Sequence, residues 1–404
     1  MGLEMFHCKV LHVVPHLGGG VGRCLSSLFD ISSRHIYREV LLLEAPIDRQ
    51  YENIISNLCK ISVVDWSNDL SSHISQFDLV QIEFWNHPAT LHFLYATQYY
   101  LFRRIFWCHI SGKGNIKLPV NFLHSTETIV FTSNQSNFTY GLRRPVINSG
   151  YGFSRSTASL PPHSDRKFDF VFAGQLDFRK MHRDLIDILN AAASLTKNPF
   201  YILGEGKDSD FIQKGVTSSN LKFLGHVNKI DKYLENTKFL IYPLTETHYG
   251  TGENIIKEAM SLACIPILLD NDVELEITKH FASNLCFSSV LKMKEQLLDL
   301  VRLENAAKYS DLSTELKLFC DHEYSASLSA QLFEALYRNI KNSDKTIFRM
   351  TDFFGATVYD WYNAFNEEKG ENIEIEGNVE RSSSKGSLKH FCDYFRETVQ
   401  LKGP

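Results

Sequence analysis

Short apolar runs alternate with segments of helical length twice along this chain, and no other sequence feature restricts the fold as strongly. The first series ends near residue 132, and the second begins near residue 168. Strands separated by helix-length segments are typical of βαβ units, in which a parallel sheet is covered on both faces. We therefore predict strands at Lys9–Val14, Val40–Glu44, Ile61–Val64, Leu79–Glu83, Ile105–His109, Thr128–Thr132, Phe168–Ala173, Phe200–Leu203, Leu221–Leu224, Phe239–Tyr242 and Ile265–Leu269.

A pause in this alternation divides the chain. Gly150–Arg166 contains Gly, Ser and two Pro without apolar periodicity, which predicts a linker. The length of 404 residues also exceeds the size at which a single core stops growing. We predict an α/β protein with two Rossmann-like doubly wound domains, residues 1–155 and 165–340, facing a central cleft where strand carboxyl ends bind ligands. Ser325–Ile340 has helical spacing and is predicted to close the second domain.

Residues 341–404 have a different composition. Seven aromatic residues fall within a short stretch, which we expect to return to the N-terminal domain and to be buried there. The following Glu367–Glu380 contains six glutamates, and Ser382–Ser387 is rich in Ser and Gly, so this part is predicted to be disordered. Leu388–Leu401 then has room for one short helix, and we expect the chain beyond Phe365 to be dispensable for the fold. The aromatic residues are Phe348, Phe353, Phe354, Tyr359, Trp361, Tyr362 and Phe365.

Charge and cysteine content exclude some classes of function. The net charge is −5 and no basic run stands out, so we expect no nucleic-acid partner. The first 155 residues carry thirteen Lys and Arg against eleven Asp and Glu, which leaves room for a weak contact with an anionic membrane surface. The eight cysteines form no Cys-x-x-Cys pair, so neither a zinc site nor a redox dithiol is expected. Without a signal peptide or a long apolar run, the chain is predicted to be cytoplasmic, at most peripheral at the inner membrane face.

A glycine-rich segment, Gly18-Gly19-Gly20-Val21-Gly22, follows the first apolar run and opens a helical pattern. Glycines let the backbone approach a phosphate, and a helix N-terminus supplies N–H donors. The spacing is not G-x-G-x-x-G, and a tight strand-to-helix turn explains the glycines equally well. Gly19 and Gly20 are candidate phosphate-binding residues, and the structural turn stays open as the alternative.

The second domain contains six motifs in a fixed order. Together they resemble the donor domain of the family 4 glycosyltransferases, which are retaining enzymes of the GT-B architecture. The resemblance covers about Lys167 to Ile340 and extends more loosely to the glycine segment and to Val13-Val14-Pro15. The motifs are Phe172-Ala173-Gly174-Gln175-Leu176 with Arg179-Lys180, Leu203-Gly204-Glu205-Gly206, Phe223-Leu224-Gly225-His226-Val227, Tyr242-Pro243-Leu244, Gly250-Thr251-Gly252-Glu253-Asn254-Ile255-Ile256-Lys257-Glu258-Ala259-Met260 and Ile265-Pro266-Ile267.

The resemblance implies a site for a nucleotide-sugar donor. Lys180 matches the family's phosphate-binding lysine, and fixed cations and N–H donors stabilise a departing diphosphate. Glu258 matches the glutamate that grips the ribose hydroxyls, although a solvated surface position is the alternative for both side chains. The nucleotide base would contact mainly the backbone near Gly225 and Val227. Arg179, Gly250, Thr251, Gly252 and Asn254 are assigned to the same donor site.

Two departures from the family pattern stand out. Gln175 occupies a position where the family usually has Arg, so one positive charge is missing, and Arg179 is a possible substitute from another direction. The family also has a glutamate eight residues before the ribose glutamate, and Gly250 stands there. Either Glu246 or Glu253 is predicted to take the place of that glutamate as a catalytic residue, and the sequence leaves the choice open.

The first domain offers a second set of candidates. His109 ends an apolar run at a position where the family often has a histidine near the reacting sugar, so we assign it a catalytic role, with a satisfied strand-end histidine as the alternative. Glu83, Trp85 and Asn86 end another run at the same rim and are predicted to face the acceptor. Core packing explains the aromatic ring of Trp85 equally well.

We expect no metal and no cofactor. Asp270-Asn271-Asp272 looks like a D-x-D metal motif but is predicted to cap the next helix. The sequence as a whole predicts a metal-independent, hexosyltransferase-like retaining enzyme. It would transfer a sugar from a UDP- or GDP-linked donor to a hydroxyl of a glycan, a lipid-linked or another acceptor. The alternatives are a catalytically degenerate GT-B module that binds a partner, and a nucleotide-sugar epimerase.

Overall fold

The computed structural model describes residues 6–31, 34–45, 49–113, 116–150, 160–366 and 387–400. The chain divides into two compact units. The first unit contains Met1–Asn148 together with Ser329–Pro404, and the second contains Ser149–Leu328.

A parallel sheet forms the centre of the first unit. Its strands within the described residues are β1 (Cys8–Val14), β2 (Ile36–Leu42), β3 (Lys60–Val63), β4 (Leu79–Phe84), β5 (Arg104–Cys108) and β6 (Thr128–Phe131). Their order across the sheet is β3-β2-β1-β4-β5-β6, and every neighbouring pair is parallel. Val, Ile, Leu and Phe dominate these strands because a parallel sheet covered on both faces has two apolar surfaces.

Helices cover the sheet of the first unit. Helix α4 begins with Pro88 after His87, whose Nδ1 accepts a hydrogen bond from the Ala89 N–H at 3.3 Å. Helix α6 ends at Gly141, whose φ of 64° is the left-handed conformation that glycine adopts readily at a helix C-terminus. The helices are α1 (Gly19–Ile31), α2 (Gln50–Ile55), α3 (Ser71–Ile74), α4 (Pro88–Ala96), α5 (Val120–Leu123) and α6 (Gln135–Tyr140).

The second unit repeats the plan. Its strands are β7 (Phe168–Ala173), β8 (Phe200–Leu203), β9 (Leu221–Gly225), β10 (Thr237–Tyr242), β11 (Ile265–Leu269) and β12 (Cys286–Phe287), all parallel, in the order β12-β11-β10-β7-β8-β9. Its helices are α7 (Leu185–Ser194), α8 (Ser209–Gly215), α9 (Asp231–Leu234), α10 (Asn254–Ser261), α11 (Asp272–Thr278), α12 (Ala282–Leu285), α13 (Val290–Leu300) and α14 (Ala306–Glu323). Short 3₁₀ turns lie at His163–Asp165, Lys279–Phe281 and Leu303–Asn305.

Both sheets have the strand order of a doubly wound nucleotide-binding fold, which confirms the predicted fold class. In such a sheet, ligands bind beyond the strand carboxyl ends where the strand order reverses. That point lies between β1 and β4 in the first unit and between β7 and β10 in the second. The segments that follow these four strands therefore hold the candidate sites.

The end of the second unit differs from the prediction. Helix α15 (Ala326–Ile340) was assigned to the second domain, but the second unit ends at Leu328. Phe333 and Tyr337 are fully buried in the core of the first unit, and the Phe333 ring packs edge-on against Trp107 with centroids 4.7 Å apart. Helical spacing shows that this helix has an apolar stripe, but not which core the stripe covers.

The chain after α15 also belongs to the first unit. Helices α16 (Thr351–Phe354), α17 (Val358–Asn363) and α18 (Leu388–Gln400) follow it. Phe348, Phe354, Trp361 and Phe365 are buried together with Phe84, Phe106 and Phe122 in one core cluster. Phe391 of α18 is buried in the same cluster, so the expectation that everything beyond Phe365 is dispensable needs correction. The region predicted to be disordered, apart from Ser387, lies outside the described residues, as does most of the predicted linker.

The structure contains no helix, within its described residues, that is long and apolar enough to cross a membrane.

Candidate functional site

Two loops meet at the strand-order reversal of the second unit. The loop after β7 carries Lys180, and the loop after β10 runs from Pro243 to α10. Backbone hydrogen bonds of 2.9 Å join them, from the His182 N–H to the Pro243 carbonyl and from the Thr245 N–H to the Lys180 carbonyl. Gly174 directly follows β7 and packs against the Tyr242 ring, because an added Cβ at this position would meet Tyr242 Cε2 at 2.8 Å. The two loops are thus held in a fixed relation to each other.

Lys180 lies inside this arrangement, with its side chain 18% exposed. Its Nζ is 3.1 Å from Glu253 Oε2 and 5.9 Å from the centroid of the Tyr242 ring. Burial alone would lower the pKa of Lys180, but the Glu253 carboxylate reverses the effect and raises this pKa well above its ordinary value. The solvated surface position considered as an alternative is therefore wrong, and Lys180 is a fixed cation.

Glu253 is the carboxylate beside Lys180. It also accepts a hydrogen bond from the Tyr242 hydroxyl at 2.8 Å. Burial alone would raise the pKa of Glu253, but Lys180, His248 and the Tyr242 hydrogen bond lower it below its ordinary value. An added Cβ at Gly250 would meet Glu253 Oε1 at 1.8 Å, so this carboxylate fills the space in which a side chain at position 250 would begin. Glu246 is exposed in the preceding turn, and no hydrogen bond or ion pair of its side chain is found among the described residues.

Two further residues that the sequence did not reveal extend this network. His248 is 1% exposed, with Nδ1 at 3.8 Å from Glu253 Oε1 and Nε2 at 3.3 Å from Glu274 Oε1. Glu274, in α11, is fully buried. Lys180, Glu253, His248 and Glu274 therefore form a row of alternating basic and acidic groups. No periodicity or motif marks His248 or Glu274, because the contact arises only when the loop after β10 folds against α11.

The neighbourhood of Gln175 shows how far Arg179 replaces the missing arginine. The Arg179 guanidinium is bound by Asp177, with Nη2 at 2.5 Å and Nε at 2.9 Å from Oδ2. The hydrogen bonds that Arg179 donates to Asp177 raise the pKa of Arg179, and the Arg179 side chain is 48% exposed. Gln175 Oε1 itself accepts a hydrogen bond from the Tyr249 hydroxyl at 3.2 Å. Arg179 is therefore a partly neutralised cation that remains open to solvent.

Helix α10 supplies the remaining candidates after β10. Glu258 is 3% exposed, so the alternative of a helix-surface glutamate is wrong. The Asn254 Oδ1 accepts a hydrogen bond from the Ser149 hydroxyl at 2.6 Å, and the same hydroxyl lies 2.9 Å from Lys257 Nζ.

The glycine loop ahead of α10 is closely packed. The Gly250 N–H already donates to His248 Nδ1 at 3.2 Å. Thr251 is 5% exposed, and an added Cβ at Gly252 would meet Ser149 Oγ at 3.0 Å. Gly250, Thr251 and Gly252 thus lie beside Glu253 in the same loop, at the N-terminus of α10.

The segment predicted to meet the nucleotide base follows β8 and β9. Gly225 has a φ of +64°, and an added Cβ would meet Glu205 Oε1 at 2.6 Å. Glu205 Oε1 also accepts a hydrogen bond from the His226 N–H at 3.2 Å. Val227 packs against the core of the second unit. The conformation of this turn is therefore set by Glu205 from the neighbouring loop.

The first unit contains a separate cluster at its own strand-order reversal. His109 follows β5, and its Nε2 lies 2.7 Å from Oε2 of Glu83 in β4. The Glu83 side chain is fully buried, whereas that of His109 is 9% exposed. The prediction that Glu83 faces the acceptor needs correction, because both carboxylate oxygens are bound by neighbouring side chains beneath the surface.

The other candidates of the first unit lie nearby or remain at the surface. Trp85 is half-buried, with its ring 6.1 Å from that of His109, and Asn86 is 8% exposed. Gly19 and Gly20 are exposed at the start of α1. Gly22 is required by packing, since an added Cβ would meet the Leu17 carbonyl oxygen at 1.8 Å. The tight turn between β1 and α1 therefore explains why residue 22 is glycine, whereas Gly19 and Gly20 are accessible to solvent.

Asn271 is the N-cap residue of α11, and Asp272 lies in the first turn of that helix. The Asn271 amide donates to the Leu244 carbonyl at 3.2 Å, so its side chain tethers the loop after β10. Among the described residues, one group of three possible metal ligands occurs elsewhere, in the first unit. It consists of Glu44, His87 and His390, whose ligand atoms lie within 4.8 Å of one another.

Comparisons with known proteins identify the fold. Residues 167–302 match the family model described as "Glycosyl transferases group 1". The chain is similar in structure to HepE of Anabaena, solved with UDP and glucose, at a TM-score of 0.59 and 14% identity, covering 82% of this chain and 100% of HepE. The fold is that of the GT-B glycosyltransferases.

Two further structures show the same fold. A glycosyltransferase from Rickettsia africae matches at a TM-score of 0.59 and 12% identity, over 83% of this chain and 100% of that one. TarM matches at a TM-score of 0.61 and 11% identity, over 83% of this chain and 99% of TarM. The comparison with curated proteins gives no match. The family match thus covers most of the second unit, and the fold match covers most of the chain.

Proposed function

We propose that this protein is a retaining, metal-independent hexosyltransferase. It transfers a sugar from a UDP- or GDP-linked donor to a hydroxyl of a glycan, a lipid-linked or another acceptor. The observation that carries the proposal is the Lys180–Glu253 pair, 3.1 Å apart, at the strand-order reversal of the unit that matches the glycosyltransferase family model. A doubly wound sheet binds nucleotides at that position.

Lys180 has the charge and burial that a departing diphosphate requires. A cation in a partly buried position interacts with developing negative charge more strongly than a cation in water. In the absence of a ligand, Glu253 neutralises Lys180, and an arriving diphosphate would compete for the same ammonium group. Arg179 is bound to Asp177 but remains half-exposed, so it can approach the diphosphate from outside.

Glu253 is our choice for the role of the family's first glutamate. Its carboxylate occupies the space that a side chain at Gly250 would enter, and it is held there by Lys180 and Tyr242. Glu246 lacks such contacts among the described residues and is exposed. Glu258, buried in α10, is assigned to the ribose hydroxyls, because a carboxylate accepts hydrogen bonds from two vicinal hydroxyls.

Solved structures with a bound nucleotide support a UDP-linked donor. HepE of Anabaena has been solved with UDP and with UDP-glucose, and S. aureus TarM with UDP. The backbone turn at Gly225, fixed by Glu205, would meet the base and carries little information on its identity. We therefore keep both UDP- and GDP-linked sugars in the proposal and test UDP-glucose first.

The proposed reaction needs no separate nucleophile and no metal ion. The acceptor hydroxyl attacks from the side on which the diphosphate leaves, and a phosphate oxygen takes the hydroxyl proton. Lys180 and the N-terminus of α10 stabilise the charge that accumulates on the diphosphate. The configuration of the transferred sugar is thereby retained.

A thermal-shift survey of nucleotide sugars tests the donor assignment. We expect a UDP- or GDP-sugar to raise the melting temperature of the wild type, because a ligand that binds the folded state stabilises it. Glu258→Gln is the matched control, since it keeps the shape of the side chain and removes the charge that would hold the ribose. NMR of the product with an identified acceptor then reports the anomeric configuration, and an inverted product would overturn the retaining mechanism.

A catalytically degenerate binding module is the second candidate. It is favoured by one observation, the capture of Arg179 by Asp177 next to Gln175, which weakens the positive charge available to a diphosphate. Such a module would bind nucleotide sugars in the thermal-shift survey without releasing a nucleoside diphosphate. Release of the diphosphate therefore separates the two candidates.

A further inference from the structure

A buried carboxylate in the first unit is surrounded by hydrogen-bond donors. Glu83 Oε1 accepts from the Gln81 amide at 2.9 Å and lies 3.3 Å from His12 Nδ1. Glu83 Oε2 lies 2.7 Å from His109 Nε2. Burial alone would raise the pKa of Glu83, but the hydrogen bonds from His109 and His12 lower it below its ordinary value. Glu83 is therefore an anion that accepts from all three neighbours.

The orientation of Gln81 is fixed from its other side. The Tyr337 hydroxyl of α15 is 2.5 Å from Gln81 Oε1, and burial raises the pKa of Tyr337, so the hydroxyl keeps its proton and donates. Gln81 Oε1 therefore accepts from Tyr337, and the Gln81 NH₂ group faces Glu83. The first of the three donors to Glu83 is thus determined by geometry.

His12 is the second donor and has a single possible protonation state. It is fully buried, its Nε2 has no hydrogen-bond partner among the described residues, and its ring packs against Phe29 with centroids 4.7 Å apart. Burial lowers the pKa of His12, so the ring is neutral with its one proton on Nδ1, directed at Glu83. His12 therefore donates one hydrogen bond to Glu83 Oε1 and adds no positive charge to the cluster.

His109 is the third donor, and its geometry differs in one respect. Its Nε2 faces Glu83, while the side chain retains some exposure to solvent. A carboxylate accepts hydrogen bonds and cannot donate them when ionised, so the proton of His109 must lie on Nε2. In the neutral ring, the second nitrogen, Nδ1, then carries a lone pair and can only accept.

We propose that Glu83 is a positioning residue that fixes the proton of His109 on Nε2, so that His109 Nδ1 accepts a hydrogen bond from a substrate hydroxyl. The inference rests on the proposed transfer function and states which chemical group His109 recognises. An accepting nitrogen binds hydroxyl or amine groups and repels the oxygens of a phosphate. His109 therefore binds the sugar or the acceptor, whereas Lys180 binds the diphosphate.

The position of the proton can be measured without a substrate. Long-range ¹H–¹⁵N spectra of protein labelled with [¹⁵N]histidine distinguish protonated from unprotonated ring nitrogens, and His109→Gln identifies the signals of His109. We expect Nε2 to be protonated and Nδ1 unprotonated at neutral pH. In Glu83→Gln, whose amide can donate, we expect this preference to be lost. Glu39→Gln is the matched control, because Glu39 is a buried carboxylate of the same sheet whose ionic partners, Lys60 and His73, lie outside this network, and it should leave the His109 signals unchanged.

Turnover provides the second measurement, with UDP-glucose or GDP-mannose as donor and water as acceptor. Loss of one buried hydrogen bond to a charged group lowers a rate or equilibrium constant by a factor of about 10 to 100. Glu83→Gln should therefore lower kcat by that factor and leave the donor KM unchanged. Glu39→Gln should retain the wild-type kcat.

The possible outcomes separate this inference from the proposed function. Protonation of Nδ1, or of both nitrogens at neutral pH, would overturn the assignment of His109 as an acceptor. A wild-type kcat in Glu83→Gln would overturn the role of Glu83 even if the NMR result agreed. If no nucleotide sugar is turned over by the wild type, the proposed function fails, while the NMR spectra still decide where the proton lies.

Discussion

Replacement of Lys180 by methionine tests the buried ion pair at the candidate donor site. Lys180→Met keeps an unbranched side chain of similar length but removes the positive charge. Glu253, 7% exposed, then keeps as partners among the described residues the Tyr242 hydroxyl and the more distant His248. The structure therefore predicts a loss of stability in addition to the loss of transfer.

The magnitude follows from the burial of both partners. Removing one member of a buried ion pair typically costs about 3–5 kcal/mol, because the other charge is left uncompensated. Lys180 is 18% exposed, so solvent screens part of the interaction, and we expect about 3 kcal/mol. Adding Glu253→Gln to the Lys180→Met variant removes the uncompensated negative charge. The double variant Lys180→Met/Glu253→Gln should recover about 2 kcal/mol of that loss while remaining inactive.

The assay must report on the second unit. All four tryptophans, Trp66, Trp85, Trp107 and Trp361, belong to the first unit, so tryptophan fluorescence does not follow the second. Hydrogen exchange of peptides from β7 and β10, combined with urea titration followed by far-UV circular dichroism, gives the free energy of unfolding there. A double variant less stable than Lys180→Met would refute the argument that an unpaired Glu253 causes the loss.

Four further predictions concern other parts of the chain. Glu258→Ala should leave the fold intact and reduce transfer by a factor corresponding to about 2–4 kcal/mol; wild-type turnover at saturating donor would exclude the ribose role. Activity should survive exhaustive treatment with EDTA, and a tenfold activation by manganese after chelation would contradict this. A chain ending at Lys345 loses five buried aromatic side chains and should unfold far more easily than one ending at Phe365, which loses only one of them, Phe391 of α18; tryptophan fluorescence during urea titration compares them. The pKa of Glu253 in the folded protein lies below its ordinary value of 4.5. The ionised Glu253 therefore contributes to stability at neutral pH, and this contribution is lost as the pH falls through the pKa of the folded state. Glu253→Gln should remove this part of the acid sensitivity, measured as urea midpoints at pH 3 to 7.

The strands were largely predictable because most of them are continuous apolar runs. The exceptions have physical reasons. Strand β2 begins four residues before the predicted start, since Arg38 and Glu39 interrupt the apolar pattern although both are buried in the structure. Strand β12 has only two residues, too few for any periodicity to appear.

The assignment of helices to a unit was less predictable. Helix α15 shows the expected helical spacing, but its apolar stripe covers Trp107 of the first unit and not the sheet that precedes it in sequence. Likewise, Phe391 was placed in a dispensable tail and lies in a core cluster. Such contacts join residues far apart in the chain, and amphipathic spacing carries no information about the partner surface.

The candidate site was predicted as a set of residues but not as a network. Lys180, Glu258 and His109 were found from motif positions. The choice between Glu246 and Glu253 depended on the path of the loop after β10, and the same loop brings in His248 and Glu274. The burial of Glu83 beneath His109 depends on the pairing of β4 with β5, which places Glu83 opposite Trp107, two residues before His109.

Release of a nucleoside diphosphate is the most direct test of the central claim. Purified protein is incubated with UDP-glucose, and then with other UDP- and GDP-linked sugars, with and without sugar acceptors, and the free diphosphate is quantified. We expect release by the wild type from at least one of these donors, and loss of that release in both Lys180→Met and Glu258→Gln. No release from any of them by folded wild-type protein, or release by both variants at the wild-type rate, would contradict the assignment of this site to nucleotide-sugar chemistry.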